Sequence, residues 1–188
     1  MEENQAFLIF GCGEFKLRKW KEIVQKVIDI TSKAGFKFQS FDITDYPLCG
    51  ISSISEIYWK NKRHLLKELE EEAEVHFKEK EDWDVEICGK FLRYYIDLDF
   101  VFYTKERKFI FLIIGKDPRW AKISSKNKLK VFKLLNKISE VLKVRIEECN
   151  VKPPRNAKVT VRRYGCWVTL PRLFLLNKKC KSANTCQR

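Results

Sequence analysis

Asp97-Leu98-Asp99 is the segment of this chain with the clearest capacity for chemistry. Two carboxylates two residues apart on a strand share one face and can hold a divalent cation between them, an arrangement used in metal-assisted phosphoryl transfer. The flanking pattern puts them on such a strand. Tyr94, Ile96, Leu98, Phe100 and Phe102 alternate with Tyr95, Asp97, Asp99, Val101 and Tyr103, so one face is apolar and the other carries both acids. Asp97 and Asp99 are therefore the candidate catalytic and metal-binding residues. Their alternative role is charge pairing with a basic side chain on a neighbouring strand, such as Arg93 or Lys108.

The pair is similar to the D-x-D that nucleotidyltransferases, primases and cyclases carry on a central strand. The likeness stops at the pair. Primase-like enzymes add a downstream histidine, and no histidine follows position 76 here. Nucleotidyltransferases place a Gly-Ser signature shortly before the acids, whereas Gly11-Cys12-Gly13 lies far upstream and lacks the serine. Glu106-Arg107-Lys108 has the E-x-K spacing of restriction-type nucleases but falls in a predicted turn, where that chemistry is not built. His64 and His76 are twelve residues apart on one predicted helix. They point about 120° from each other and make no zinc pair. Gly11-Cys12-Gly13-Glu14 lacks the further Gly and Lys of a phosphate loop and reads as a simple turn. No cofactor is expected.

Charge gives the second lead. The chain of 188 residues has a net charge of +13, unevenly spread. Residues 1–104 hold 15 Lys/Arg against 20 Asp/Glu, a net −5, and residues 105–188 hold 23 against 5, a net +18. Such asymmetry points to a polyanionic partner, or an acidic protein surface, for the C-terminal half. The candidate contacts are Lys126, Lys130, Lys133, Arg155, Lys158, Arg162, Arg163, Arg172, Lys178, Lys179 and Lys181, with Tyr164 among them. Trp120 and Trp167 are interleaved with this charge, and an exposed aromatic ring can stack on an unpaired base. No established RNA- or DNA-binding motif accompanies the charge.

The elements that must position these groups can be read in order. Ala6 to Phe10 is a first strand ending at the Gly11–Gly13 turn. Trp20, Ile23, Val24, Val27, Ile28 and Thr31 form one stripe of an amphipathic helix, closed by Gly35. Phe36 to Ile43 is a second strand, and the β-α-β order makes it a possible parallel neighbour of the first. Ser53-Ile54-Ser55-Glu56 is a capping-box pattern that starts a helix running to about Lys80, with Ile54, Ile57, Tyr58, Leu65, Leu69 and Ala73 on its buried face. Asp84 to Cys88 is a strand, and Gly89-Lys90 a tight turn into the long hairpin of Phe91 to Gly115. In that hairpin Phe109 to Ile114 is apolar throughout, as in a strand covered on both faces. Ser124 or Ser125 caps a third helix whose apolar side includes Leu129, Phe132, Leu135, Ile138, Val141 and Leu142. Val144 to Cys149 and Val159 to Thr169 are further strands, joined by a connector with Pro153-Pro154.

Together these predict an α+β fold: a mixed or antiparallel sheet of about five to seven strands with three helices packed on it. One domain spans residues 1–176, and residues 177–188 form a basic tail. The Met-Glu-Glu opening reads without a secretory leader, and no run approaches the roughly 18 apolar residues of a membrane span. Seven cysteines without a C-x-x-C pair then fit thiols in a reducing, intracellular compartment. The leading functional expectation is a non-enzymatic module that binds nucleic acid, RNA or a ribonucleoprotein, through its basic C-terminal half. The alternatives are a protein-interaction module that neutralises or escorts an acidic partner, similar in size and element order to immunity proteins, and a metal-dependent phosphoryl-transfer enzyme using Asp97 and Asp99.

Overall fold

The hairpin predicted at the centre of the sequence lies at the middle of a sheet. The computed structural model describes residues 8–46, 56–115, 118–144, 146–149, 154 and 161–164. In chain order these form β1 (Leu8–Lys16), α1 (Trp20–Lys33), β2 (Lys37–Tyr46), β3 (Ile57–Tyr58), α2 (Lys62–Glu79), β4 (Asp82–Phe91), β5 (Tyr94–Tyr103), β6 (Lys108–Gly115), α3 (Ser125–Leu142), β7 (Ile146–Cys149) and β8 (Val161–Tyr164). Short 3-10 turns at Leu17–Lys19 and Pro118–Lys122 precede α1 and α3. The strands make one sheet in the order β3-β2-β4-β5-β6-β1-β7-β8. Every pairing is antiparallel except β7 with β8. The fold is α+β with three helices on a sheet.

The helices share one face of the sheet. Val24 and Val27 of α1, Leu65 and Leu69 of α2 and Leu135 and Ile138 of α3 join one buried cluster with Val85, Leu98, Phe100 and Phe111 of the strands. The apolar set of β5 is thus the set the helices cover. On the opposite face Val101, Tyr103, Ile110, Leu112 and Ile114 form a second buried cluster. The unbroken apolar run of β6 is accordingly buried on both faces.

Several local expectations differ from the structure. Gly11-Cys12-Gly13 is not a turn: β1 runs through it, and its register with β6 slips between Cys12 and Glu14. A glycine lets the strand absorb the extra residue without breaking the ladder. β1 and β2 are not neighbours. The alternating antiparallel pairs leave them pointing the same way with β4, β5 and β6 between them. The meander has a more continuous apolar surface than β1 and takes the central positions.

The second helix starts at Lys62, where the Asn61 side chain accepts a hydrogen bond from the His64 N–H at 2.9 Å. Ile57 and Tyr58 form an edge strand against β2, and Tyr58 is exposed. The capping-box residues 53–55 lie outside the described residues. The β4–β5 turn falls at Leu92-Arg93 rather than at Gly89-Lys90, with φ of 52° and 72°. Both residues in the left-handed region is what a two-residue turn of this hand requires. Gly89 is inside β4.

Other expectations hold. α1 buries its predicted stripe from Ile23 to Thr31, with Trp20 half-buried, and is followed by Gly35 at φ 93°. Ser124 caps α3 by accepting the Asn127 N–H. Among the described residues no helix is long and apolar enough to cross a membrane. The run Leu173 to Leu176 and the tail 177–188 lie outside the described residues.

Candidate functional site

α3 carries the basic face. Val131, Phe132, Leu134, Leu135, Ile138 and Leu142 turn toward the core. Lys126, Lys130, Lys133 and Lys137 are exposed on the other side. Their separations of four, three and four residues keep all four within about 60° of helix azimuth and spread them over about 16 Å. Glu140 is the only acid of the helix, and it accepts a hydrogen bond from the Asn136 amide at 2.7 Å.

Four lysines of α1 and α2 are paired, whereas Lys33 and Lys78, both exposed, have no ion-pair partner among the described residues. Lys26 pairs with Glu22 at 2.5 Å, Lys62 with Asp29 at 2.6 Å, Lys67 with Glu71 at 3.2 Å, and Lys21 with Glu70. Among the described residues none of the four α3 lysines has an ion-pair partner. Lys126 also stands in the first turn, and that turn contains no acid. Positive charge there opposes the helix dipole. Helix stability does not explain this placement, and an anion laid along the stripe would offset it.

The remaining basic candidates divide in two. Arg162, Arg163 and Tyr164 lie on β8, the last strand of the sheet, where Arg163 is in register with Glu148 of β7 and Tyr164 with Cys149. Arg155, Lys158, Arg172, Lys178, Lys179 and Lys181 lie outside the described residues, as does Trp167. The structure therefore brings Lys126, Lys130 and Lys133 together, adds Lys137, and places the β8 group at the far edge of the sheet.

Trp120 is not a stacking platform. It is 1% exposed, its ring lies 4.6 Å from that of Tyr94, and its Nε1 donates to the Tyr95 carbonyl at 2.8 Å. It fastens the segment before α3 to the start of β5.

Asp97 and Asp99 share a face, as their spacing predicts, and it is the face without helices. Cys88 lies opposite Asp97 and Glu86 opposite Asp99, and Asp42 of β2 lies opposite Glu86. Ligand atoms of Asp42, Glu86 and Cys88 come within 4.8 Å of one another, close enough to surround a cation. Asp97, however, is 4% exposed. Burial, and then the charges of Asp97 and Glu86, push the Cys88 thiol well above its ordinary range, so it stays protonated. Lys108, a possible partner for the acids, bonds instead to Glu106 at 2.8 Å and Glu14 at 3.1 Å. Desolvation pulls its pKa down, but those two carboxylates outweigh it and hold the pKa above the usual lysine value.

Both histidines pack against aromatic rings. His76 stacks on Trp83 with ring centroids 5.2 Å apart, and His64 meets Phe41 edge-on at 5.8 Å. Glu106-Arg107-Lys108 spans the end of the β5–β6 turn and the start of β6, away from any strand interior.

Searches against protein-family models, curated proteins and solved structures find no match to this chain.

Proposed function

We propose that this protein is a non-enzymatic module that binds nucleic acid through the lysine face of α3, with RNA or a ribonucleoprotein as its partner. The observation that carries this reading is the stripe of Lys126, Lys130, Lys133 and Lys137, four exposed lysines on one helix face, none with an ion-pair partner among the described residues. A row of cations over about 16 Å matches several consecutive phosphates of a strand, and counterion release would supply the affinity. The +18 balance of residues 105–188 adds a long-range field of the same sign. Arg162 and Arg163 of β8 belong to the same basic half of the chain.

Phosphoryl transfer at Asp97 and Asp99 is the less favoured reading. Such a site must admit a phosphate-bearing substrate to both carboxylates, and Asp97 is covered. A protein partner with an acidic surface would use the same lysine face. The test is fluorescence anisotropy with labelled single- and double-stranded RNA and DNA from about 50 to about 200 mM salt. Binding that weakens steeply with salt supports the reading. Absence of binding to every nucleic acid at low salt would remove it and leave the acidic protein partner.

A further inference from the structure

A second basic surface lies where the charge split of the sequence gives no hint of one. At the end of the sheet that carries the β5–β6 turn, a depression of about 1120 Å³ opens between the end of β1, the start of α1, the end of α2 and that turn. Lys16, Arg18, Lys80, Lys105 and Arg107 line it, and all five are exposed. The lining acids, Glu14 and Glu106, are both engaged by Lys108. Among the described residues the other five cations have no ion-pair partner. They come from three separate parts of the chain, and only Lys105 and Arg107 belong to the basic half.

The depression is not only charged. Trp20 and Phe77, both half-buried, contribute rings to its wall. Each is held from behind: Trp20 meets Phe102 edge-on at 6.3 Å, and Phe77 meets Trp83 edge-on at 6.2 Å. The Leu17 N–H donates to the Arg107 carbonyl at 2.9 Å, tying the start of α1 to the hairpin turn.

Two of the cations occupy backbone positions that suit glycine. Lys80 ends α2 at φ 58°, and Arg107 sits in the hairpin turn at φ 54°. Glycine would adopt either conformation without steric cost, yet both positions carry a cation that lines the depression.

We infer that this depression is a nucleotide site, in which the five cations hold phosphate and the Trp20 and Phe77 rings provide an apolar surface for the base. The same chemistry is offered by a free nucleoside triphosphate and by the 5′-phosphorylated end of a strand. The site is separate from the α3 lysine face, and neither proposal depends on the other.

The test is calorimetry at about 50 mM salt with ATP, inorganic tripolyphosphate and adenosine, together with short single strands carrying a 5′-phosphate or a 5′-hydroxyl. ATP and tripolyphosphate bind, and adenosine does not. Lys105→Glu with Arg107→Glu, both exposed turn residues, weakens ATP about tenfold or more. Trp20→Leu weakens ATP more than tripolyphosphate. Lys126→Glu with Lys130→Glu leaves ATP binding unchanged, which separates this site from the α3 face. A preference for the 5′-phosphorylated strand that the Lys105/Arg107 variant abolishes assigns the site to strand ends; its absence, with ATP still bound, assigns it to the free nucleotide. The inference is overturned if ATP binds the Lys105/Arg107 variant as well as the parent. It is also overturned if neither ATP nor the 5′-phosphate is recognised.

Discussion

The ring of Phe36 occupies the space that a side chain on Gly89 would need. A Cβ at position 89 would come 2.3 Å from Phe36 Cε1 and 2.5 Å from the Lys37 carbonyl oxygen. Gly89 therefore serves close approach of β2 to β4, next to the slip in their register between Phe38 and Ser40. The second contact is with backbone, so a rotamer change cannot relieve it. Gly89→Ala is expected to lower unfolding stability by about 3 kcal/mol. Urea denaturation measures this, and an unchanged midpoint would contradict the packing.

This glycine also shows what the sequence could and could not convey. A Gly-Lys pair between two strand patterns has the signature of a tight turn, and it reads that way. The turn instead falls at Leu92-Arg93, residues that local propensity disfavours there. The strand continues because the Phe36 ring and the facing strand fix Gly89 in the interior. Period-two alternation located β5 and its acid face, and period-3.6 stripes located α1 and α3, because each has a clean apolar side. The start of α2 was not legible, since Ile57 and Tyr58 fit a helix stripe as well as an edge strand. The lysine stripe of α3 was readable from spacing. Its lack of partners was not, because pairing between helices depends on their placement. The basic depression at the hairpin end was illegible for the same reason: three distant segments meet there.

Trp120 provides a test that separates structure from binding. Trp120→Phe keeps a ring against Tyr94 but removes the Nε1 donor to the Tyr95 carbonyl. Loss of one partly buried hydrogen bond and some packing is expected to cost about 2 kcal/mol. Nucleic-acid affinity should not change. Weaker binding by a fully folded Trp120→Phe protein would return this residue to the interface.

Cys88 sets a pH dependence. Its folded pKa is raised above the ordinary value of 9.0, first by burial and then by Asp97 and Glu86. A raised folded pKa gives stability that is fully present below the unfolded value. That stability is lost as pH climbs from about 9 through the folded value, because the unfolded thiol ionises first. Denaturation midpoints from about pH 8 to about pH 10.5 should fall more steeply for the parent than for Cys88→Ala. Parallel curves would show that the thiol is not desolvated.

The central claim rests on the four lysines of α3, and one measurement addresses it most directly. The dependence of log Kd on log salt for a labelled single-stranded RNA would be compared between the parent and a variant with Lys126, Lys130, Lys133 and Lys137 changed to Gln. All four are exposed, so the variant should keep the parent's fold and denaturation midpoint. If the stripe contacts phosphates, the slope falls in magnitude by about 3 and affinity drops with it. An unchanged slope and affinity in the folded variant would contradict the account.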